Sequence, residues 1–256
     1  MYTIYGRYII NKKIEYFDNN TPLNLINKIK IMKNNKHYRY GDVIFNKGFY
    51  WKDSIDFILE NMPDSILGKY LQNKRNIYER ESNDIICEKF NNLIKEHINK
   101  SYIILPEDNE LVIHLRVGDV VVKDWFLEKN YQYIIKNYIN KYGINKCTFC
   151  TAFHYGNYIE RNLWIYSDEN HEKNKTKLYN LFKELTEQFK ISFDVKSSPN
   201  IDDDFIYMLK AKHFVSDKGG FSTLIKNIRT YIGLSNDQYC NNYGETSNVV
   251  SSVALS

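Results

Sequence analysis

His114, Arg116 and Asp119, in residues 111–122 (LVIHLRVGDVVV), have the types and spacing best suited to chemistry in this chain. An apolar run is broken by His114, Arg116, Gly118 and Asp119 and then resumes. A buried strand that delivers polar groups at its carboxyl end reads this way, and open α/β sheets bind ligands outside that edge. His114 and Arg116 are two positions apart, so on a strand both project to one face, and Leu115 and Val117 to the other. The Arg116 guanidinium is a rigid fork of donors that fits a phosphate or a carboxylate. Gly118 permits a turn or a close approach of backbone to ligand. Asp119 suits bracing that fork or accepting the proton of a substrate hydroxyl. The competing reading is structural: an Arg116–Asp119 ion pair at a strand end, with His114 a satisfied core histidine.

Two further clusters have similar placement. Ser167, Asp168 and Glu169 follow the apolar run NLWIY, which puts their polar groups at a strand's carboxyl end if that strand joins a parallel sheet. Their structural reading is a helix cap. The stretch 202–222, DDDFIYMLKAKHFVSDKGGFS, reads as helix, short strand, Gly-Gly turn and helix. Gly219 and Gly220 open that last helix, where backbone N–H groups and the helix dipole can cradle a phosphate. Lys218 adds a cation and Ser222 a hydroxyl. The structural reading is an ordinary tight turn after a solvated helix N-terminus at Asp202, Asp203 and Asp204.

The elements that must position these residues alternate. Residues 111–117 predict a strand, about 128–141 a helix ended by Gly143, and 147–154 and 162–167 strands. Residues 171–190 predict a strong helix with Leu178, Leu181, Phe182, Leu185 and Phe189 on one face. A strand at 191–195, a helix at 202–211, a strand at 213–216 and a helix at 220–231 follow. Strands and helices alternating at this length predict βαβ units and a parallel sheet. Before residue 106 the pattern is less regular. One or two strands are expected over 2–17, a helix over 22–33 with Thr21 as N-cap and Pro22 at N1, and a turn and short strand over 39–45. A helix is expected over 51–60, capped near Asp53 or Ser54, then a weak strand over 65–71 and a clear helix over 83–99. Turn residues at 106–109 mark a boundary. The polar tail, 235–256, is expected to be partly disordered or draped on the surface.

Composition narrows the function classes. Hydrophobic residues at 43% supply a core, and a net charge of +4 suits an anionic small molecule but is too weak for a nucleic-acid surface. Cys147 and Cys150 form a lone C-x-x-C without a second pair of ligands, so no metal is expected. Few cysteines predict reduced thiols in a cytosol-like compartment. The N-terminus, MYTIYGRYII, is broken by Gly6 and Arg7 and does not read as a signal peptide. No window is apolar enough for a membrane span, so a cytoplasmic or otherwise soluble protein is expected.

Together the clusters resemble a known family. HLRVGD resembles the H-x-R-R-G-D motif of the α-1,2-fucosyltransferases and related α-1,6- and protein O-fucosyltransferases. IYSDE is similar to their F-S-D-D element, and DFIYMLKAKHFVSDKGGFS to their D-F-x-L-M-x-x-C-K-H…N-S-S-F-S block. The resemblance covers about residues 110–232. It implies an α/β, GT-B-like architecture of two facing α/β lobes, with a Rossmann-like parallel sheet in the C-terminal lobe. The division it implies is an acceptor-side lobe at 1–108, a donor lobe at 109–234 and a tail at 235–256. It also implies a GDP-sugar co-substrate with no further cofactor or metal, a glycan or glycoconjugate acceptor, and inversion at the anomeric carbon.

By that resemblance Arg116 holds the donor's β-phosphate, His114 supports phosphate or ribose, and Asp204 contacts guanine. Ser222 and the Gly219-Gly220 backbone form the pyrophosphate turn. The implied donor set is His114, Arg116, Gly118, Asp168, Asp204, Lys218, Gly219, Gly220, Phe221 and Ser222. Arg116 and Asp119 are the expected catalytic residues, with Asp42 in RYGD as an alternative base. The second Arg of the family motif is Val117 here, the Ser-Ser is Gly219-Gly220, and the Trp that follows F-S is Thr223. These departures motivate two alternatives: a non-catalytic descendant that binds a nucleotide sugar or glycan, and a pyruvyl- or phosphoryl-transferase on the same scaffold.

Overall fold

The computed structural model describes residues 3–4, 7–10, 13–16, 21–29, 31–32, 40–46, 51–100, 102–117, 130–154, 157–159, 163–165, 168–198, 200–217, 219–234, 237–239 and 246–247. The first elements are strands β1 (Thr3–Ile4), β2 (Arg7–Ile10) and β3 (Lys13–Tyr16), helix α1 (Pro22–Asn27) and strand β4 (Ile31–Met32). Helices α2 (Tyr40–Phe45), α3 (Trp51–Asn61), α4 (Ile66–Gln72) and α5 (Asn83–Lys100) follow. Next come strand β5 (Glu110–His114), helix α6 (Tyr131–Tyr142) and strands β6 (Lys146–Cys150), β7 (Phe153–His154), β8 (Asn157–Ile159) and β9 (Leu163–Ile165). The last are helix α7 (Asp168–Gln188), strand β10 (Ser192–Lys196), helix α8 (Ile201–Lys210), strand β11 (His213–Ser216), helix α9 (Gly220–Tyr231), and strands β12 (Asp237–Tyr239) and β13 (Thr246–Ser247). The architecture is α/β with a parallel sheet, as the alternating pattern predicts.

The chain forms two compact units, each discontinuous in sequence: residues 1–35 with 109–204, and 36–108 with 205–256. This differs from a division into 1–108, 109–234 and a tail. In the first unit α1 packs on α7 and β10, and Lys28 bonds Asp194 at 2.6 Å, so the N-terminal residues belong with the sheet. In the second, α9 packs on α2 and α5.

The first unit is built on three parallel strands in the order β10-β6-β5. Their register aligns Leu111 with Cys147 and Phe193, and His114 with Cys150 and Lys196. Alternation makes one face of β6 apolar at Phe149, whose ring meets Tyr131 of α6 at 6.1 Å and Phe182 of α7 at 5.4 Å. Leu178, Phe182 and Leu185 of α7 are fully buried, as their helical spacing predicts. Gly143, at φ 64°, ends α6 in the left-handed conformation that glycine adopts without strain. At the amino end of the strands, buried Glu110 pairs with its register partner Lys146 at 3.1 Å.

The core of the second unit is a chain of aromatic rings. Tyr70 of α4 meets Phe90 of α5 at 4.8 Å, Phe90 meets Phe205 of α8 at 5.9 Å, and Phe205 meets Phe221 of α9 at 5.8 Å. Strand β12 pairs parallel with β11, and β13 antiparallel with β12. Residues 237–239 and 246–247 of the expected tail are therefore strands rather than a draped segment. Arg229 of α9 is fully buried. Its Nη1 donates to the carbonyls of Met208, Leu209 and Ala211 at 3.2, 2.8 and 2.6 Å, and its guanidinium lies 5.1 Å from the Phe214 ring centroid.

Several expectations in the less regular half are corrected. Residues 66–72 form a helix, not a strand. Ser65 caps it by accepting the Gly68 N–H at 3.0 Å, and Ile66, Leu67, Tyr70 and Leu71 are buried along one helical stripe. Residues 40–45 also form a helix, buried at Val43, Ile44 and Phe45 and packed on α9, so tertiary contact overrides the strand-like composition. Helix α1 stops at Asn27 because Ile31 and Met32 pair with Phe153 and His154 as a short parallel ladder. Thr21 is its N-cap residue without a capping side-chain hydrogen bond, and Pro22 stands at N1. Helix α3 starts at Trp51, ahead of the expected caps at 53 and 54. Residues 3–16 hold three strands where one or two were expected.

Two stability predictions follow from these contacts. A Cβ on Gly68 would lie 2.2 Å from the Met62 carbonyl oxygen and 2.7 Å from that of Pro63, so Gly68→Ala should destabilise the fold by about 1–3 kcal/mol. Arg229→Met keeps an apolar stem but leaves three carbonyls without their donor, at an expected cost of roughly 2–4 kcal/mol. Denaturant midpoints measured against the wild type check both.

Candidate functional site

Strand β5 positions the first group of candidate residues. Leu111, Val112 and Ile113 are buried, and so are Leu115 and Val117, whereas His114 and Arg116 are only half-buried. The Leu115 N–H donates to the Cys150 carbonyl at 3.0 Å, so pairing continues one residue beyond the strand and carries Arg116 to the carboxyl edge. The alternation is the one predicted: apolar side chains into packing, polar ones to the opposite face.

Register supplies neighbours that sequence spacing does not reveal. His114, Cys150 and Lys196 form a row across the three parallel strands. The Thr151 N–H donates to the Lys196 carbonyl at 3.1 Å, which continues the ladder at the second pair as well. Lys196 Nζ stands 4.0 Å from Asp204 Oδ1. Both Asp204 oxygens accept the Ser198 N–H, at 2.9 and 3.1 Å, and the Ser198 side chain bonds the same carboxylate. Burial pushes the Asp204 carboxyl above its ordinary range despite the opposing pull of Ser198 and Lys196. Asp204 therefore anchors the turn after β10. Lys196 and Ser198 were missed in the sequence, where the one signal was Lys196's place as the last residue of the run ISFDVK.

The second group lies in the other unit, on the turn between β11 and α9. Gly219 is the N-cap of α9 at φ 121°, a conformation that L side chains rarely adopt. Its carbonyl accepts both the Thr223 N–H and the Thr223 hydroxyl at 2.9 Å. Gly220 is the first residue of the helix, so the N–H groups of its first turn have no partner within the helix. Ser222 is buried, and the Phe221 ring joins the aromatic chain through Phe205. Ser216, at the end of β11, is fully buried, and its Oγ has no hydrogen-bond partner among the described residues.

The third cluster is placed otherwise than expected. Strand β9 pairs antiparallel with β8 in a separate two-stranded sheet, so Asp168 does not follow a strand of the parallel sheet. Asp168 is the first residue of α7, and exposed Glu169 pairs with Lys173 at 2.7 Å, as on any solvated helix face. Gly118, Asp119, Ser167 and Lys218 lie outside the described residues, as do the side chains of Asp42 and Asp168.

Cys147 and Cys150, three apart on β6, project to opposite faces. Both are buried, and burial raises both thiols well above their ordinary value, which suits packing rather than thiolate chemistry. Among the described residues no group of three His, Cys, Asp or Glu side chains could hold a metal ion. An open groove of about 660 Å³ lies at the amino end of β10, lined by Thr21, Pro22, Lys183, Glu187, Lys190 and Ser192 among others. It contains none of the candidate residues. No described helix is long and apolar enough to cross a membrane. Comparison with known proteins finds no matching family model, no matching curated protein and no matching solved structure.

The burial of Asp204 has a measurable sign. Its folded carboxyl binds a proton more tightly than the unfolded one. The resulting stability is fully present below the ordinary value of 3.8 and is lost as pH rises through the higher folded value. Asp204→Asn cannot ionise. The melting temperature of wild type minus that of the variant should fall with rising pH across this window and then level off. A difference that grows with pH would mean that the Ser198 and Lys196 contacts outweigh burial.

Proposed function

We propose that this chain is an inverting glycosyltransferase of GT-B-like architecture that moves a sugar, fucose by motif, from a GDP-sugar to a hydroxyl of a glycan or glycoconjugate. The observation that carries the reading is the placement of Arg116 with His114 at the carboxyl edge of a buried parallel strand, where α/β folds bind nucleotides. The glycine-opened N-terminus of α9 supports it with a second anion-binding element.

In this reading the acceptor hydroxyl attacks the anomeric carbon as the bond to the diphosphate breaks. The leaving diphosphate gains negative charge, which Arg116 suits by charge-assisted hydrogen bonding. Asp119 takes the hydroxyl proton, with Asp42 the alternative base. The GDP-sugar is a co-substrate, and the reaction as proposed requires no further cofactor. A second reading, a binding protein without turnover, is favoured by Val117. That position is fully buried and supplies no cation beside Arg116.

Calorimetric titration with GDP, UDP and CDP in the absence of magnesium tests the donor. The wild type should bind GDP selectively, and Arg116→Ala should weaken that binding by about 10- to 100-fold while melting near the wild type. Absence of GDP binding, or an Arg116→Ala variant with undiminished affinity, would sink the assignment. GDP binding without turnover of GDP-fucose on any glycan acceptor would favour the second reading.

A further inference from the structure

The turn into α9 ends in donors that the described protein leaves unused. Gly219 and Gly220 are the N-cap and first residue of this 12-residue helix. Neither N–H donates to any described residue. Gly219 is exposed, so this helix end is open to solvent. Every helix begins with such amides, and they mark a ligand only when a further polar group converges on them.

Ser216 supplies that group. It ends β11, is fully buried, and its Oγ has no hydrogen-bond partner among the described residues. Strand alternation puts Ser216 on the face of Phe214, and the Arg229 guanidinium of α9 lies 5.1 Å from the Phe214 ring centroid. That face of β11 is therefore the one that α9 covers. From Phe214 to Ser216 the strand advances about 6.6 Å toward its carboxyl end. From Arg229 back to Gly220 the helix runs toward the same end, because residues 217–219 alone connect strand and helix. The Ser216 hydroxyl thus points to α9 at the level of its first turn. Nearly every buried hydroxyl in a folded protein is hydrogen-bonded. An unsatisfied one beside a helix N-terminus calls for an acceptor that carries negative charge.

We infer that the N-terminus of α9 binds a phosphate group, with the Gly219 and Gly220 N–H groups and the Ser216 hydroxyl as its donors. The terminal oxygens of a phosphate form a tetrahedral array, which donors converging from a helix end and from the strand beside it can meet. A carboxylate offers its oxygens in one plane. Ser216 lies outside the residues that the family resemblance assigns to the donor. The site lies wholly within the second unit and depends on neither Arg116 nor the base of a nucleotide. It deepens the nucleotide-sugar reading but stands without it, because a free phosphate and a nucleotide's diphosphate share this chemistry.

Amide resonances of isotope-labelled glycine in the wild type, with Gly219 and Gly220 assigned, provide the first test and need no variant to fold. Inorganic phosphate, pyrophosphate, GDP, guanosine and acetate are titrated at constant ionic strength. Phosphate or pyrophosphate should move both amides, and guanosine and acetate should leave them in place. A response to GDP without one to inorganic phosphate assigns the site to a nucleotide's diphosphate, and the reverse assigns it to free phosphate; either supports the site. Ser216→Ala is the second test. It should bind the effective probe about 10-fold more weakly. It should melt no lower than wild type in phosphate-free buffer, because it deletes a hydroxyl without a partner. Unchanged affinity, or a lower melting temperature without phosphate, would make Ser216 a structural residue and overturn its role. If neither glycine amide responds to phosphate, pyrophosphate or GDP, or if acetate moves them equally, the site itself is overturned, while the Arg116 reading is judged by its own titration.

Discussion

The buried guanidinium of Arg229 is the interaction on which the second unit depends. It enters from α9, closes the exposed carbonyls at the carboxyl end of α8 and lies over Phe214 of β11, so one side chain ties three consecutive elements together. A helix ends with carbonyls that have no partner and with the negative end of its dipole, and a cation satisfies both. The cost of burying such a charge is several kcal/mol, offset here by charge-assisted bonds to three carbonyls. The turn that holds Gly219 and Gly220 runs between two of the tied elements. Its shape therefore follows from Arg229 as much as from its own glycines.

In the first unit the corresponding constraint is the register of β5, β6 and β10. Pairing Glu110 with Lys146 at one end fixes which residues align at the other. A slip of one residue would turn every side chain to the opposite face, carrying His114 and Lys196 toward α6 and α7 and taking Phe149 away from them. The aromatic contacts of Phe149 with α6 and α7 oppose that slip. The same packing that stabilises the sheet thus assembles the polar row at its carboxyl edge.

These arrangements give the functional proposal its physical content. Cations stand at a strand edge in one unit, and a glycine-opened helix N-terminus stands in the other. Each, by itself, has the chemistry to meet a phosphate group. Asp204 differs from the role suggested by resemblance in having its oxygens engaged by Ser198, so its visible part is to shape the turn after β10.

The sequence by itself determined the elements whose periodicity is strong and whose ends are chemically marked. Helix α7 was legible from Leu178, Phe182 and Leu185, helix α6 from Gly143, and strand β11 and helix α9 from the apolar run and the glycines between them. The split of His114 and Arg116 from Leu115 and Val117 was legible too, because side-chain alternation is a local property of a strand. Only the tertiary structure decided the rest. Residues 40–45 and 66–72 became helices because partners buried them, against strand-like local composition. Strand β9 left the parallel sheet for a hairpin with β8, which removed Asp168 from the sheet's edge. Lys196 came level with His114 through pairing between residues far apart in sequence, and such register is a sum of long-range contacts that no local pattern encodes.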